Sequence, residues 1–316
     1  MYYPYFRGKQ FELIAIRETS SLIASSEFVP IIEPVRESLN GLEKTLRSLT
    51  DAGAKAIVVV NPSYGDHREN GDGITALIDH DYRENDAICP GILLTSKTTM
   101  NQALGQIAKH DVAGTTLIHA GFTDSRILAN RLSSDARRFR NVFLEAHTNR
   151  LYRRHFPGKP RILVGDGFVQ MKNADYPLIE AFSDLHITYA EHEMDGYGDF
   201  LTIGDNYTEG GGPAYAVAIH LTFIDPEQDN AMFIYHFKSD TNDTPTDPAG
   251  KFAQALDKLI AKFDSGTSNL LETSAIREFR DLHGRGHFPG LGYVKKLSIK
   301  HHLETLSRYH LAQRNA

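Results

Sequence analysis

The sequence contains one cysteine, Cys89, so no disulfide can form within the chain, a usage that fits a reducing compartment. No run approaches the roughly 18 consecutive apolar residues that a membrane span needs. The opening MYYPYFRGKQ is aromatic and polar and lacks the apolar centre of a secretory signal. The expectation is a soluble, cytoplasmic protein with no membrane contact. Compact catalytic motifs are missing too. There is no HExxH pair and no GxSxG elbow. The glycines of VGDGF (164–168) and TEGGGP (208–213) follow neither the GxGxxG nor the P-loop spacing. Cys89 precedes Pro90 inside a strand-like run, a poor setting for a nucleophile.

What is present is 316 residues, 41% of them apolar, enough for a large core. The formal net charge of -6 conceals an uneven distribution. Residues 174–247 hold fifteen acidic groups against one base, Lys238. Residues 131–161 hold nine Arg or Lys against Asp135 and Glu145, and residues 284–314 hold six against Glu304. Blocks of this kind form solvated faces or, in the basic segments, bind phosphate or nucleic acid. A pI near 6.2 argues against a dedicated DNA binder.

Val- and Ile-rich runs at 11–18, 28–35, 55–61, 88–95, 114–120, 141–147, 161–168 and 199–205 read as strands. Helical patterns lie between them. In 39–53, Leu39, Leu42, Leu46 and Leu49 share a face and Gly53 stops the run; 98–111 opens on a threonine cap. Short strands alternating with helices predict parallel pairing. Eight of them predict a (β/α)8 TIM-type barrel, with an open doubly wound sheet as the alternative. The stretch 184–191 reads as the tail of a helix. After residue 205 a glycine-rich loop (206–215) leads to strands at 216–225 and 232–240, close enough for an antiparallel hairpin. Helices follow, one around 251–263 and others across 273–312 broken by HGRGHFPGLG. The expectation is one domain over 1–316: a barrel core at 1–205, then a hairpin insertion and C-terminal helices at 206–316.

Strand side chains alternate between faces, so parity shows where polar strand ends point. Ile14, Ile16 and Glu18 share a face, as do Ile31, Glu33 and Val35; Ile57, Val59 and Asn61; Leu117 and His119; Phe143, Glu145 and His147; Ile162, Val164 and Asp166; and Leu201, Ile203 and Asp205. In a barrel these ends meet at the C-terminal rim, where this fold places active sites. Singly, each charge could merely mark a strand end meeting water. Together they suggest a pocket with Glu33 and Glu145 facing one another and Glu18 and Asp166 nearby. Glu33, Glu145 and Asp166 are the candidate catalytic carboxylates. Converging carboxylates repel one another unless a cation intervenes. A divalent Mg, Mn or Zn ion is one expectation, with Glu18, His119 and His147 as candidate ligands. The alternative is a carboxylate pair such as Glu33 and Glu145 serving as acid and base without metal. His220 and His236 fall in the hairpin, and His301 and His302 on a helix beside Lys300, where they could meet phosphate or cover the surface.

The segments YYPYFRGKQFELIAIRE, VPIIEP, KNADYP, GYGDFLTIG, AVAIHLTF, HFKSD and SIKHHLETL together resemble the bacterial branch of the beta protein family, named after a phage protein. The likeness runs through nearly the whole chain in the same order. It implies a barrel encoded in prophages and mobile regions beside a nuclease-like gene, hence a role in phage–host conflict as half of a two-gene system. It supplies no catalytic residues; the matching segments include Glu18, Glu33, Asp175, Asp199, His220, His236 and His302. Two functions follow as expectations. One is a metal-assisted hydrolase or phosphodiesterase acting on a phosphate-bearing substrate at the barrel rim. The other is a catalytically silent barrel that regulates a neighbouring nuclease-like protein.

Overall fold

The computed structural model describes residues 1–82, 86–132, 139–210, 212 and 214–314. Positions 133–138 of the first basic segment, and 211 and 213 of the glycine-rich loop, lie outside the described residues. The chain divides into two units, Met1–Asp166 with Leu185–Phe200, and Gly167–Asp184 with Leu201–Ala316.

The first unit is a nearly closed parallel barrel with helices, consistent with the TIM type. Its strands are β1 (Tyr5–Phe6), β2 (Ile31–Ile32), β3 (Ala56–Val59), β4 (Ile88–Thr95), β5 (Thr116–Ala120), β6 (Arg140–Leu144) and β7 (Arg161–Gly165). After β8 (Ile179–Ser183), which belongs to the second unit, β9 (Gly196–Asp199) completes the set. The eight barrel strands run in the order β1-β2-β3-β4-β5-β6-β7-β9. The seam closes where the Tyr3 amide donates to Tyr197 O at 2.8 Å and the Tyr197 amide to Met1 O at 3.1 Å.

Helices α1 (Gln10–Glu18), α2 (Ser20–Ser25), α3 (Asn40–Asp51), α4 (Asp72–Asp81), α5 (Met100–Lys109), α6 (Ser125–Arg131), α7 (Arg150–Arg154) and α8 (Leu185–Thr188) complete this unit. α3 buries Leu42, Leu46 and Leu49, the stripe read from sequence. α5 starts in a capping box in which Thr99 and Gln102 satisfy each other's backbone amides.

The barrel interior gathers Tyr3, Tyr5, Val29, Ile31, Ile57, Val59, Leu93, Ile118, Val142, Leu144, Ile162, Val164 and Phe200 into one apolar cluster. These residues correct three of the expected strands. The 11–18 run is α1, because Glu12, Leu13, Ala15 and Ile16 are its buried positions, a helical stripe rather than an alternating one. The first strand is instead the two-residue β1. The 141–147 run stops at Leu144, and Glu145–His147 form a 3-10 turn. The last strand is Gly196–Asp199, since Leu201 takes a φ of 55°, which an extended strand cannot hold.

The second unit is a three-stranded antiparallel sheet, β10 (Ala218–Asp225), β11 (Ala231–Lys238) and β8, in the order β10-β11-β8. Helices α9 (Pro248–Asp264), α10 (Ser274–Arg285) and α11 (Leu291–Arg314) accompany it. One face of the hairpin packs Ile219, Leu221, Phe223, Tyr235 and Phe237 with side chains of these helices. The hairpin is as expected, but the sheet also recruits 179–183 from inside the expected barrel core. No helix among the described residues is long and apolar enough to cross a membrane.

Candidate functional site

Inward parity continues past the strand ends. Arg7 follows Tyr3 and Tyr5, Glu33 follows Val29 and Ile31, Asn61 follows Ile57 and Val59, and Asp166 follows Ile162 and Val164. Arg7 and Glu33 form an ion pair through Nη1 and Oε2, with the Glu33 side chain completely buried. Tyr5 Oη donates to the same carboxylate oxygen at 2.8 Å, and the Ser63 amide donates to Oε1 at 2.8 Å. The guanidinium lies about 5 Å from the ring centres of Tyr5 and Tyr64 and 5.4 Å from that of Phe200. Glu33 is thus a partnered anion that holds Arg7. The expected set of unpaired carboxylates around it is replaced by an Arg-Glu-Tyr cluster.

Asn61 continues the sheet with its side chain, accepting from the Leu93 amide at 2.8 Å and donating to Leu93 O at 2.9 Å. Glu12, buried at the start of α1, accepts from the Arg7 amide at 2.6 Å. Burial pushes its carboxyl up to about 6 against the lowering influence of Lys9 and Arg7.

The other candidates fall in three places. Glu18 is exposed at the end of α1, away from any strand end. His119 has the parity of Leu117 and so faces away from the interior cluster that holds Ile118. Its Nδ1 meets Tyr152 Oη at 3.0 Å, its Nε2 meets Asn141 Oδ1 at 3.1 Å, and its ring stacks on Phe143. Burial lowers its pKa to about 3, so it is a neutral, fully bonded core residue. Phe143 likewise faces outward, so the shared parity of Phe143, Glu145 and His147 does not carry the last two inward. The 3-10 turn places Glu145 and His147 on the exposed rim instead. There Glu145 Oε2 lies 3.1 Å from where a Cβ on Gly165 would stand, beside exposed Asp166. Glu145 and Asp166 thus stand at the ends of the neighbouring strands β6 and β7. Glu33 follows directly on β2, four strands round the barrel from β6. Among the described residues no group of three or more His, Cys, Asp or Glu could hold a metal ion.

A cavity of about 140 Å³ opens beside the ends of β1 and β2, lined by Gly8, Gln10, Arg17, Arg36, Ser38 and Gly41 among others. Arg17 is half-buried and donates to Gly41 O at 3.3 Å, whereas Arg36 is exposed. α3 begins at this cavity with no side-chain cap at Leu39, leaving its first amides directed out of the helix end. Arg36 and the uncapped start of α3 give a positive side to a cavity otherwise lined largely by Leu13, Pro34, Val35, Leu39 and Leu42, with Arg17 bound to Gly41 O and Thr45 Oγ1 at its edge. Arg7 and this cavity escaped the sequence reading. The signal was there: Arg7 shares the parity of Tyr3 and Tyr5, in a strand too short to register.

Among the described residues of the basic segments some are bound into the fold, while Arg131, Arg150, Arg154 and Lys159 are exposed. Arg161 donates to Glu193 O at 2.8 Å and Arg153 O at 3.1 Å, and Arg140 donates to Thr116 Oγ1. On α11, Lys296 and Lys300 approach Glu278 at 3.9 and 3.5 Å from nearly buried positions. His301 and His302, expected from the sequence either to meet phosphate or to cover the surface, are fully buried. Scanned against protein-family models and against curated proteins, the chain matches none.

Proposed function

We propose that the protein binds a phosphate-bearing substrate at the C-terminal rim of the barrel and hydrolyses it there. The observation that carries this reading is the cavity beside β1 and β2, which Arg17, Arg36 and the start of α3 line together. A phosphate held there leaves the rest of the substrate free to cross the mouth toward Glu145 and Asp166. One of these carboxylates serves as general base toward water and the other as the acid for the leaving oxygen. The buried pair of Arg7 with Glu33, braced by Tyr5, keeps the mouth rigid. A Mg or Mn ion would fit this rim as one that arrives on the substrate phosphate and takes only one or two carboxylates from the protein. Turnover of bis(p-nitrophenyl) phosphate by purified protein tests the reading. Glu145→Gln and Asp166→Asn should each abolish it, and Arg36→Ala should raise KM while sparing kcat. Wild-type turnover in both carboxylate variants would contradict it.

A second reading, a barrel that regulates a neighbouring nuclease-like protein as part of a phage-defence pair, is favoured by one feature. β8 is an edge strand that exposes Ile179, with Leu178 exposed just before it. An open apolar edge is a template for a docking strand. Co-purification of the adjacent gene product with wild type, and its loss with Ile179→Lys, tests that reading.

A further inference from the structure

The second unit contains a chain of three ionisable side chains that the rim does not use. His220 on β10 and His236 on β11 are direct cross-strand partners. They share the hairpin face opposite to the one carrying Ile219, Leu221, Tyr235 and Phe237. His220 Nδ1 and His236 Nδ1 stand 2.7 Å apart, and His236 Nε2 lies 2.9 Å from Glu180 Oε1 on β8. Two aromatic rings fix the imidazole planes. Tyr176 stacks on His236 at 4.3 Å and meets His220 edge-on at 5.0 Å, and Phe168 meets His220 edge-on at 5.0 Å.

The donors in this chain are determined by elimination. A carboxylate only accepts, so His236 Nε2 carries the proton shared with Glu180. A neutral His236 then presents a bare Nδ1, which requires His220 to donate from its own Nδ1. That leaves the lone pair of His220 on Nε2. This nitrogen has no partner among the described residues and is not sealed from solvent, in a side chain that is half-buried overall. His119 and His301 differ, because both of their ring nitrogens are bonded. His220 is held neutral, its pKa lowered to about 3 by burial, His236 and the Lys295 ammonium. His236 is lowered to about 4 by burial and Lys238.

We propose that His220 Nε2 is a phosphoryl acceptor, with His236 and Glu180 as positioning residues that hold it in the nucleophilic tautomer and Lys295 drawing in the anionic donor. With phosphoramidate as donor, the Nε2 lone pair forms an N–P bond while the donor's P–N bond breaks and ammonia leaves with that electron pair. The ring's Nδ1 proton passes to His236 Nδ1, and the resulting imidazolium lies against the Glu180 carboxylate. The phosphorylated imidazole is left without a ring charge.

The experiment incubates the intact protein with phosphoramidate and locates phosphohistidine by peptide mass spectrometry at alkaline pH. A long-range 1H–15N spectrum reads the tautomers in parallel. One phosphoryl group on His220 Nε2 is expected, with the Nδ1–H tautomer in the unmodified protein. Glu180→Gln, at a partly exposed position that a folded protein tolerates, should slow labelling by roughly tenfold, the scale of one unit of lost basicity. His236→Asn should mix the tautomers of His220. Labelling that favours exposed His80, His147 and His192 over His220, or an Nε2–H tautomer at His220, would overturn the proposal. So would no labelling, or equal rates in wild type and Glu180→Gln. Because these groups belong to the second unit and the cavity residues to the first, failure here leaves the phosphate-cavity reading untouched.

Discussion

The Glu33 carboxylate has three donors, Arg7, Tyr5 and the Ser63 amide, and none of its surface reaches water. Parity alone suggests that a carboxylate there stands unpaired, so that Glu33→Gln would leave the fold intact or stabilise it. The structure reverses that expectation. Removing one member of a buried pair strands the other charge and costs about 3–5 kcal/mol. Glu33→Gln should therefore lower the urea midpoint substantially. Arg7→Met with Glu33→Met should recover much of the loss, because no charge is then left buried. A Glu33→Gln midpoint equal to wild type would mean the pair is solvated.

The buried histidines give a second prediction at this scale. His119, lowered to about 3, and His301, lowered to about 4, both by burial, are neutral in the fold. In the unfolded chain they take up protons near pH 6.5. Between that value and their folded pKa the unfolded state binds more protons, so stability rises with pH. Their contribution is complete above about pH 6.5 and is lost as pH falls toward 3–4. Glu12, raised to about 6 by burial, works in the opposite direction, weakening the fold as pH rises from about 4.5 to 6. A melting series from pH 8 to about 4 should fall, and His119→Gln should flatten it. An unchanged slope in that variant would remove His119 from the explanation.

At the scale of elements, the seam depends on glycines in β9. A Cβ at Gly198 would stand 2.1 Å from Tyr3 O, and one at Gly196 2.8 Å from Met1 O. The Tyr3 ring lies against Gly196, 3.0 Å from where its Cβ would stand. Gly198→Ala should open the seam and lower the melting temperature sharply. Gly105→Ala, in α5 with nothing within 4 Å, should instead stabilise by about 0.5–1 kcal/mol. Equal effects from the two substitutions would argue against the seam geometry.

Elements also show what could be read in advance. β3, β4, β5 and β7 were legible as Val- and Ile-rich runs with buried faces. α1 was not, because Ile14, Ile16 and Glu18 fit period two as well as the helical spacing of Leu13 and Ile16. β1 was hidden by its two-residue length and aromatic character. The turn at Glu145 was invisible because parity assumes an extended chain, and Leu144 is where the chain ceases to be extended.

For the whole molecule, each unit carries its own chemistry: in the barrel, the cavity with Arg17 and Arg36 beside the Arg7–Glu33 pair; in the three-stranded sheet, the Glu180–His236–His220 chain. A charged rim was legible in the sequence, but which charges meet was not. Pairing depends on the backbone turns at Gly8 and Glu145, and neither leaves a periodic trace. The most direct test of a rim built for a phosphate-bearing substrate is calorimetric titration of the protein with inorganic phosphate at low salt. The expected result is binding at one site that Arg36→Ala and Arg17→Ala each weaken by about tenfold or more, as loss of a charged hydrogen-bond donor does, while Lys97→Ala leaves it unchanged. Absence of phosphate binding, or equal affinity in wild type and both arginine variants, would contradict the account.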